Sequence, residues 1–288
     1  MRGFGLLLLI AACVMPAVAG ARSFDNENLR YKVLYKWGLI NKTAGYADIR
    51  MRSDGNDRCT GTLVAASEPW ADRFFKVRDT LVSNMRKTDF TPYRYEKKAH
   101  EGNEVKHDIV DFSRSGYNFT GKCVRKVWKK GAIFRDETRT LSAVGTTVDM
   151  MSSFYFMRNL PFDQWKPGHT TTINIFSGKQ QEKLTLKYQG TDEVTLNGVK
   201  HKCYHITFIF TGDGGKKTSD NMDAWISANA ARVPLKLEGK LPIGKVQCYL
   251  DSPLSRATIL YASARKPPCK TPVMNFAFYA FGVSENLI

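Results

Sequence analysis

The chain has 288 residues, 43% of them hydrophobic and 24% charged, with a formal net charge of +16. Such a chain can bury a substantial core, and beyond its first residues no stretch is long and apolar enough to cross a bilayer as a helix. That excludes an integral helical membrane protein, and the charge points to anionic partners or to a solvated basic face.

The amino terminus reads as an export signal. Arg2 supplies a positive charge, Phe4 to Met15 is almost unbroken apolar sequence, and Ala17-Val18-Ala19 offers the small residues that a signal peptidase reads. Residues 1–21 are therefore assigned to a signal peptide cut near Ala19, and 22–288 to a single β-rich domain. A second reading starts from Ile10-Ala11-Ala12-Cys13, which resembles a lipobox and would place a lipid on Cys13. Both outcomes are export, to the periplasm or the outer membrane.

Alternation of apolar and polar residues, the mark of a half-buried strand, dominates the rest of the chain. Tyr31, Val33, Tyr35 and Trp37 share one face of the first strand, with Lys32 and Lys36 on the other. Asn41 to Gly45 is expected to turn, and Tyr46 to Met51 to run back. Further strands are expected over 73–79, 92–99, 105–112, 124–129 and 132–139. "DMMSSFYFMRNL", residues 149–160, is the helix: Asp149 can cap it, Met150, Met151, Phe154, Met157 and Leu160 repeat at helical spacing, and Pro161 closes it. Strands resume over 170–176, 182–189, 193–196, 202–210, 223–227, 233–237 and 244–250, and then over 257–263 and 273–281. Many short strands with one helix predict a mainly β protein, a large curled or closed antiparallel sheet of barrel type.

The densest positive charge lies between Arg86 and Lys130, with twelve Lys or Arg against six Asp or Glu. Lipid, anionic glycan or an envelope protein are the partners such a surface suits; export takes the chain away from nucleic acid. Membrane association is expected to be peripheral or through a lipid at Cys13. Of the six cysteines, Cys59, Cys123, Cys203, Cys248 and Cys269 follow the leader, an odd and scattered set whose pairing the spacing does not fix.

Several segments invite a chemical reading. His201, Cys203 and His205 alternate on one strand, but the outer two lie roughly 13 Å apart at a rise of ~3.3 Å per residue, too far to share one ion. No metal or cofactor is assigned. The pairs Asp108/Asp111 and Glu101/Glu104 read as solvated salt-bridge partners rather than a glycosidase pair, and the glycines of 212–215 lack P-loop spacing. Ser227 lacks a nucleophile elbow and reads as a turn serine ahead of a hairpin whose inward residues are Val233, Leu235, Leu237, Val246, Cys248 and Leu250. Pro234 requires that strand to be at an edge or to begin a pairing.

Trp225-x-Ser227, Arg232-x-Pro234-Leu235 and Ile243-Gly244-x-Val246 with Leu250 resemble the carboxy-terminal pattern of the bacterial domain-of-unknown-function family numbered 3108. Earlier pieces follow in the same order: Tyr31-x-Val33-x-Tyr35-x-Trp37-Gly38, Ala44-Gly45, Phe75-x-Val77-Arg78-Asp79 and Ser153-x-Tyr155-x-x-Arg158. The resemblance spans about 29–250. It implies an exported envelope protein built mainly of β structure, and it implies no activity.

Aromatic residues cluster in these segments beside two arginines. An apolar interior with cations at its mouth could hold an acyl chain by its head group, so Trp37, Tyr155, Arg158, Trp225 and Arg232 are the candidate ligand-binding residues, and no residue is assigned a catalytic role. Arg158 and Arg232 are expected either at a cavity rim or in internal ion pairs with Asp79 or Asp223. The function expected is non-enzymatic binding or carriage of an apolar or amphipathic molecule or a partner protein. The alternative is a periplasmic hydrolase of envelope glycan or lipid. Amino-terminal sequencing and intact mass of the exported form should show residues before about Arg22 missing; diacylglycerol on Cys13 would instead establish the lipid-anchored form.

Overall fold

The computed structural model describes residues 22–241 and 243–251. The expected signal peptide with Cys13, the strands expected at 257–263 and 273–281, and Cys269 lie outside the described residues. β1 (Asn28–Trp37) is followed by β2 (Ile40–Ser53), β3 (Arg58–Ser67), a single helical turn α1 (Pro69–Asp72), β4 (Val77–Arg86), β5 (Pro92–Glu101), β6 (Glu104–Ser115), β7 (Asn118–Lys129) and β8 (Ala132–Val144). Then come β9 (Thr147–Val148), helix α2 (Met150–Arg158), β10 (Thr170–Phe176), β11 (Gln181–Leu196), β12 (Val199–Thr211), β13 (Met222–Ser227), β14 (Pro234–Lys240) and β15 (Lys245–Leu250).

All fifteen strands form one sheet in the order β8 to β1, then β15 down to β9. Two meanders are thus joined where β1 pairs β15, with Tyr31 opposite Leu250 and Lys36 opposite Lys245. The outermost strands, β8 and β9, are consecutive in the chain, so the peptide itself spans the seam of a nearly closed barrel. Asn174 strengthens the seam, donating from its backbone to the Thr146 carbonyl (2.9 Å) and from its side chain to the Val144 carbonyl (3.0 Å). Apart from the short parallel pairing of β9 with β10, every ladder is antiparallel.

Helix α2 runs inside the barrel. Every residue of it except Phe156 is buried, the polar Ser152, Ser153 and Arg158 included, and each of these three has a hydrogen-bond partner. Its start is held by a reciprocal capping box: the Asp149 carboxylate accepts from Met151 N (2.8 Å) and Ser152 N (2.7 Å), while Ser152 Oγ accepts from Asp149 N (2.8 Å). From the sheet, Ser83 Oγ donates to the other carboxylate oxygen at 2.5 Å.

The internal helix explains the strand that alternation does not predict. The inward residues of β3 are Cys59, Gly61, Leu63, Ala65 and Ser67, too small to give a strong hydrophobic signal. A Cβ at Gly61 would lie 2.9 Å from the Met85 methyl and 3.0 Å from the Tyr155 ring, so small residues here make room for α2. Other boundaries also move. The first turn is Gly38-Leu39, with Gly38 at φ +53°, not 41–45. Gly45 lies within β2 at a bulge, where a Cβ would collide with the Ala66 carbonyl. The strand expected from Arg73 begins at Val77, because α1 occupies the preceding turn. The two strands expected over 182–196 are one, bulged between Tyr188 and Gly190.

Asp108 and Glu101 are not solvated. Both point into the barrel, where a cross-strand row runs Lys97, Asp108, Arg125, Glu137 with alternating charge. Arg125 meets Asp108 at 3.2 Å, and Lys106 Nζ meets Glu101 at 2.7 Å. Asp79, buried beside them, accepts from His100 N at 3.1 Å. Burial first, and then the Glu101 charge, push its carboxyl from 3.8 up to about 7. Because the folded value is raised, its contribution to stability is complete below pH 3.8 and is lost as pH rises through about 7. Asp79→Asn keeps the acceptor and cannot ionise. Calorimetry should show its melting temperature gaining on the parent between about pH 4 and about pH 7 and holding level above that; parallel profiles would mean that Asp79 does not titrate there.

Candidate functional site

Strand direction sorts the turns into two ends. The β1–β2, β14–β15 and β3–β4 connections lie at one end, and the β2–β3, β4–β5 and β13–β14 turns at the other, where α2 finishes. At that second end the segment Arg22–Glu27 crosses the mouth of the barrel and meets the last turn of the helix.

Arg158 organises this mouth. Its guanidinium, 0% exposed, donates to both carboxylate oxygens of Glu27 (2.5 and 2.6 Å), to the Arg232 carbonyl (2.8 Å) and to the Ala231 carbonyl (3.0 Å). Phe24 lies under it, ring centroid 3.9 Å from the guanidinium carbon. Burial opposes the charge, but the Glu27 carboxylate outweighs it and the Arg158 pKa is raised. The planar fork suits this set of acceptors, which a lysine could not reproduce.

Ser227 builds the other half of the clamp. Its Oγ accepts from Val233 N (2.8 Å) and donates to Asn229 Oδ1 (2.9 Å), closing the turn that aims the 231 and 232 carbonyls at Arg158. Arg232 adopts φ +47° there, and β14 begins at Pro234 as a central strand of the sheet. The Arg232 side chain pairs with Asp163 at 2.9 Å and lies over the Tyr204 ring at 4.3 Å. The two arginines thus bind Glu27 and Asp163, in place of the Asp79 and Asp223 partners expected from sequence. Neither carboxylate belongs to a recognisable pattern: Glu27 precedes the first strand and Asp163 lies in a 3-10 turn after the helix.

Beside the clamp is a cleft of about 260 Å³ lined by Phe24, Met51, Cys59 and Phe90 below and by Arg22, Ser23, Asp25, Lys87 and Thr88 above. Its aromatic floor continues into α2: Phe24 and Phe90 lie 5.5 Å apart and 5.6 and 6.0 Å from Tyr155. Phe90 takes φ +57° in the β4–β5 turn, a strained position for a bulky residue, and gains burial of its ring in return. Lys87 stands at the mouth, 3.0 Å from Asp25.

The five candidate residues do not converge. Tyr155 and Arg158 lie inside on α2, Tyr155 with its hydroxyl unpartnered among the described residues, and Arg232 lies beside them. Trp225 is on the outer surface, stacked on His205 at 4.5 Å, under Lys236 at 3.9 Å and bonded to Asp192 at 2.7 Å. Trp37 sits past the barrel rim at the opposite end, 54% exposed, although it shares strand parity with buried Tyr35. His205 binds Asp223 (2.8 Å) while the Cys203 thiol turns to the His201 carbonyl, and among the described residues no three potential ligands gather round a metal site. Cys59, Cys123, Cys203 and Cys248 are buried free thiols, held by burial at about 11 for Cys203 and about 12 for the others.

The clamp sets a graded expectation for mutation. Arg158→Met removes a buried partner and should cost about 3–5 kcal/mol in denaturant unfolding. Arg232→Met, whose carboxylate partner is 56% exposed, should lose only about 1 kcal/mol from the ion pair. Equal losses would show that the two pairs share the load.

Comparison with known proteins agrees with this architecture. A solved structure, the beta-barrel-like protein of domain of unknown function DUF1849 from Brucella abortus, is similar to this chain with a TM-score of 0.53 at 12% identity, over 77% of this chain and 94% of that one. At that identity the likeness shows the fold alone. No curated protein matches. The family model described as a protein of unknown function, DUF3108, matches residues 30–251, a span that holds the strands, the internal helix and the Ser227–Arg232 turn. The chain belongs to the DUF3108 family.

Proposed function

We propose that this protein is an exported, non-enzymatic binding protein of the bacterial envelope that holds an amphipathic molecule by its acyl chain in the cleft beside Phe24 and Phe90. The observation that carries the reading is the division within that cleft: an aromatic and thioether floor below, and at the mouth Arg22 and Lys87 against the single carboxylate of Asp25, which pairs with Lys87. An apolar chain gains by leaving water for such a floor, and an anionic head group gains from the cations above it. At about 260 Å³ the cleft suits a short or single chain rather than a bulky ligand. Methionines on α2 and β2 line the adjoining interior, and their flexible side chains can repack around a guest.

The hydrolase alternative gains no comparable support. Ser227 Oγ is committed to Asn229 and to Val233 N, and His205 is paired with Asp223 against Trp225. Neither arrangement joins a nucleophile to a base.

Lauric acid serves as the probe for the cleft. Titration followed by native mass spectrometry should show one saturable site per chain. Ser23→Trp, which fills the mouth from an exposed position, should weaken binding by about ten-fold or more, and Lys87→Glu should do the same by repelling the carboxylate. Absence of saturable binding, or binding indifferent to both changes, sinks the reading.

A further inference from the structure

The end of the barrel opposite the cleft has a different surface. The β1–β2 turn carries Trp37, Leu39 and Ile40 into solvent, and the β14–β15 turn carries Ile243; Leu39 is wholly exposed. The two turns are pressed together. A Cβ at Gly244 would collide with the Lys36 carbonyl, and Tyr35 Oη donates to the Ile243 carbonyl at 3.1 Å. Phe74 adds a further exposed ring through α1, whose Trp70 donates to the Thr43 carbonyl of β2 at 2.6 Å. Between the tips is an open cleft of about 470 Å³ lined by Lys36, Lys240 and Lys245 with Trp37 and Leu241, and none of the described carboxylates lines it. Lys245 reaches outside the lining to Glu238 at 2.7 Å. Lys42 and Arg73 extend the positive charge over neighbouring exposed positions, against Glu68.

We infer that this end of the barrel docks on the surface of a bilayer containing anionic lipid. Isolated apolar side chains on protruding tips are poor material for a rigid protein interface, which is built on a flat, close-packed patch. They suit a deformable surface, into which Leu39, Ile40 and Ile243 can dip while Trp37 stays at the head-group level. The lysine-lined cleft then faces the phosphates, which supply countercharge to its excess of cations. Among the described residues no helix is long and apolar enough to cross a membrane, so the contact is a surface one. The inference rests on none of the residues of the acyl-chain cleft.

The exported protein is floated with vesicles of phosphatidylethanolamine alone and of phosphatidylethanolamine mixed with phosphatidylglycerol. Binding is expected to the mixed vesicles and to fall with added salt. Leu39→Ser with Ile40→Ser should lower the bound fraction about ten-fold, as should Lys36→Gln, Lys240→Gln and Lys245→Gln together, with melting temperatures little changed, since Leu39 and Ile40 are exposed and the Lys245–Glu238 ion pair that is lost is partly exposed. Bromine-labelled lipid should quench tryptophan fluorescence in the parent, and Trp37→Phe should abolish most of that quenching. Failure to float with anionic vesicles overturns the inference. So does equal flotation of all variants, which would assign binding to another surface or to a lipid on Cys13. Self-association lost in the Leu39/Ile40 variant without vesicle binding would assign the tips to a second copy and overturn it as well.

Discussion

A helix enclosed by a barrel carries any charge of its last turn into the interior, where that charge must find partners, and here one guanidinium joins the helix to two other segments. Arg158 closes the end of α2 by binding a carboxylate from the amino-terminal segment and two carbonyls from the β13–β14 turn. Three segments that are far apart in sequence become one mouth. The positive charge also lies in the last turn of the helix, where it complements the helix dipole. Without that cation the Glu27 carboxylate would lack its partner and the turn carbonyls their donor; Arg158 fixes this end of the helix as the Asp149–Ser83 contact fixes the other.

The other part of the interior is organised by charge. Lys97, Asp108, Arg125 and Glu137 face one another across β5 to β8, and Asp79, Glu101 and Lys106 fill the space beside them. Replacing such a network with apolar residues is commonly neutral or stabilising, so stability alone is a weak reason for its presence. What it does supply is register. A one-residue slip of β6 would turn Asp108 outward and leave Lys97 and Arg125 buried without it. Gly178 contributes to the same fit: its φ of +94° lets the β10–β11 turn lie against Asp108, where a Cβ would come within 2.6 Å of the aspartate side chain.

The two ends of the barrel then diverge in chemistry. At one, Phe24, Phe90 and Tyr155 form an aromatic floor under Arg22 and Lys87. At the other, apolar tips protrude among lysines. Antiparallel strands impose this separation, since every second turn returns to the same end. Residues such as Trp37 and Tyr155, which look alike as motif aromatics, accordingly have opposite surroundings.

The mainly β class, the barrel-like sheet, the helix with its Asp149 cap and the turn role of Ser227 were legible in the residues, because period, capping and turn chemistry are local. So was family membership, carried by short patterns in a constant order. The small inward residues of β3 were not legible, since Gly61 and Ala65 are explained only by the helix that packs on them. Nor were the inward carboxylates: charge on a strand signals solvent until the opposite strand places a countercharge across from it. The partners of Arg158 and Arg232 escaped for the same reason, as Glu27 and Asp163 lie 131 and 69 residues from them along the chain. Local physics sets which residues turn, alternate or cap. Which charge meets which, and which aromatic faces water, depends on the closure of β1 on β15 and on the helix held inside.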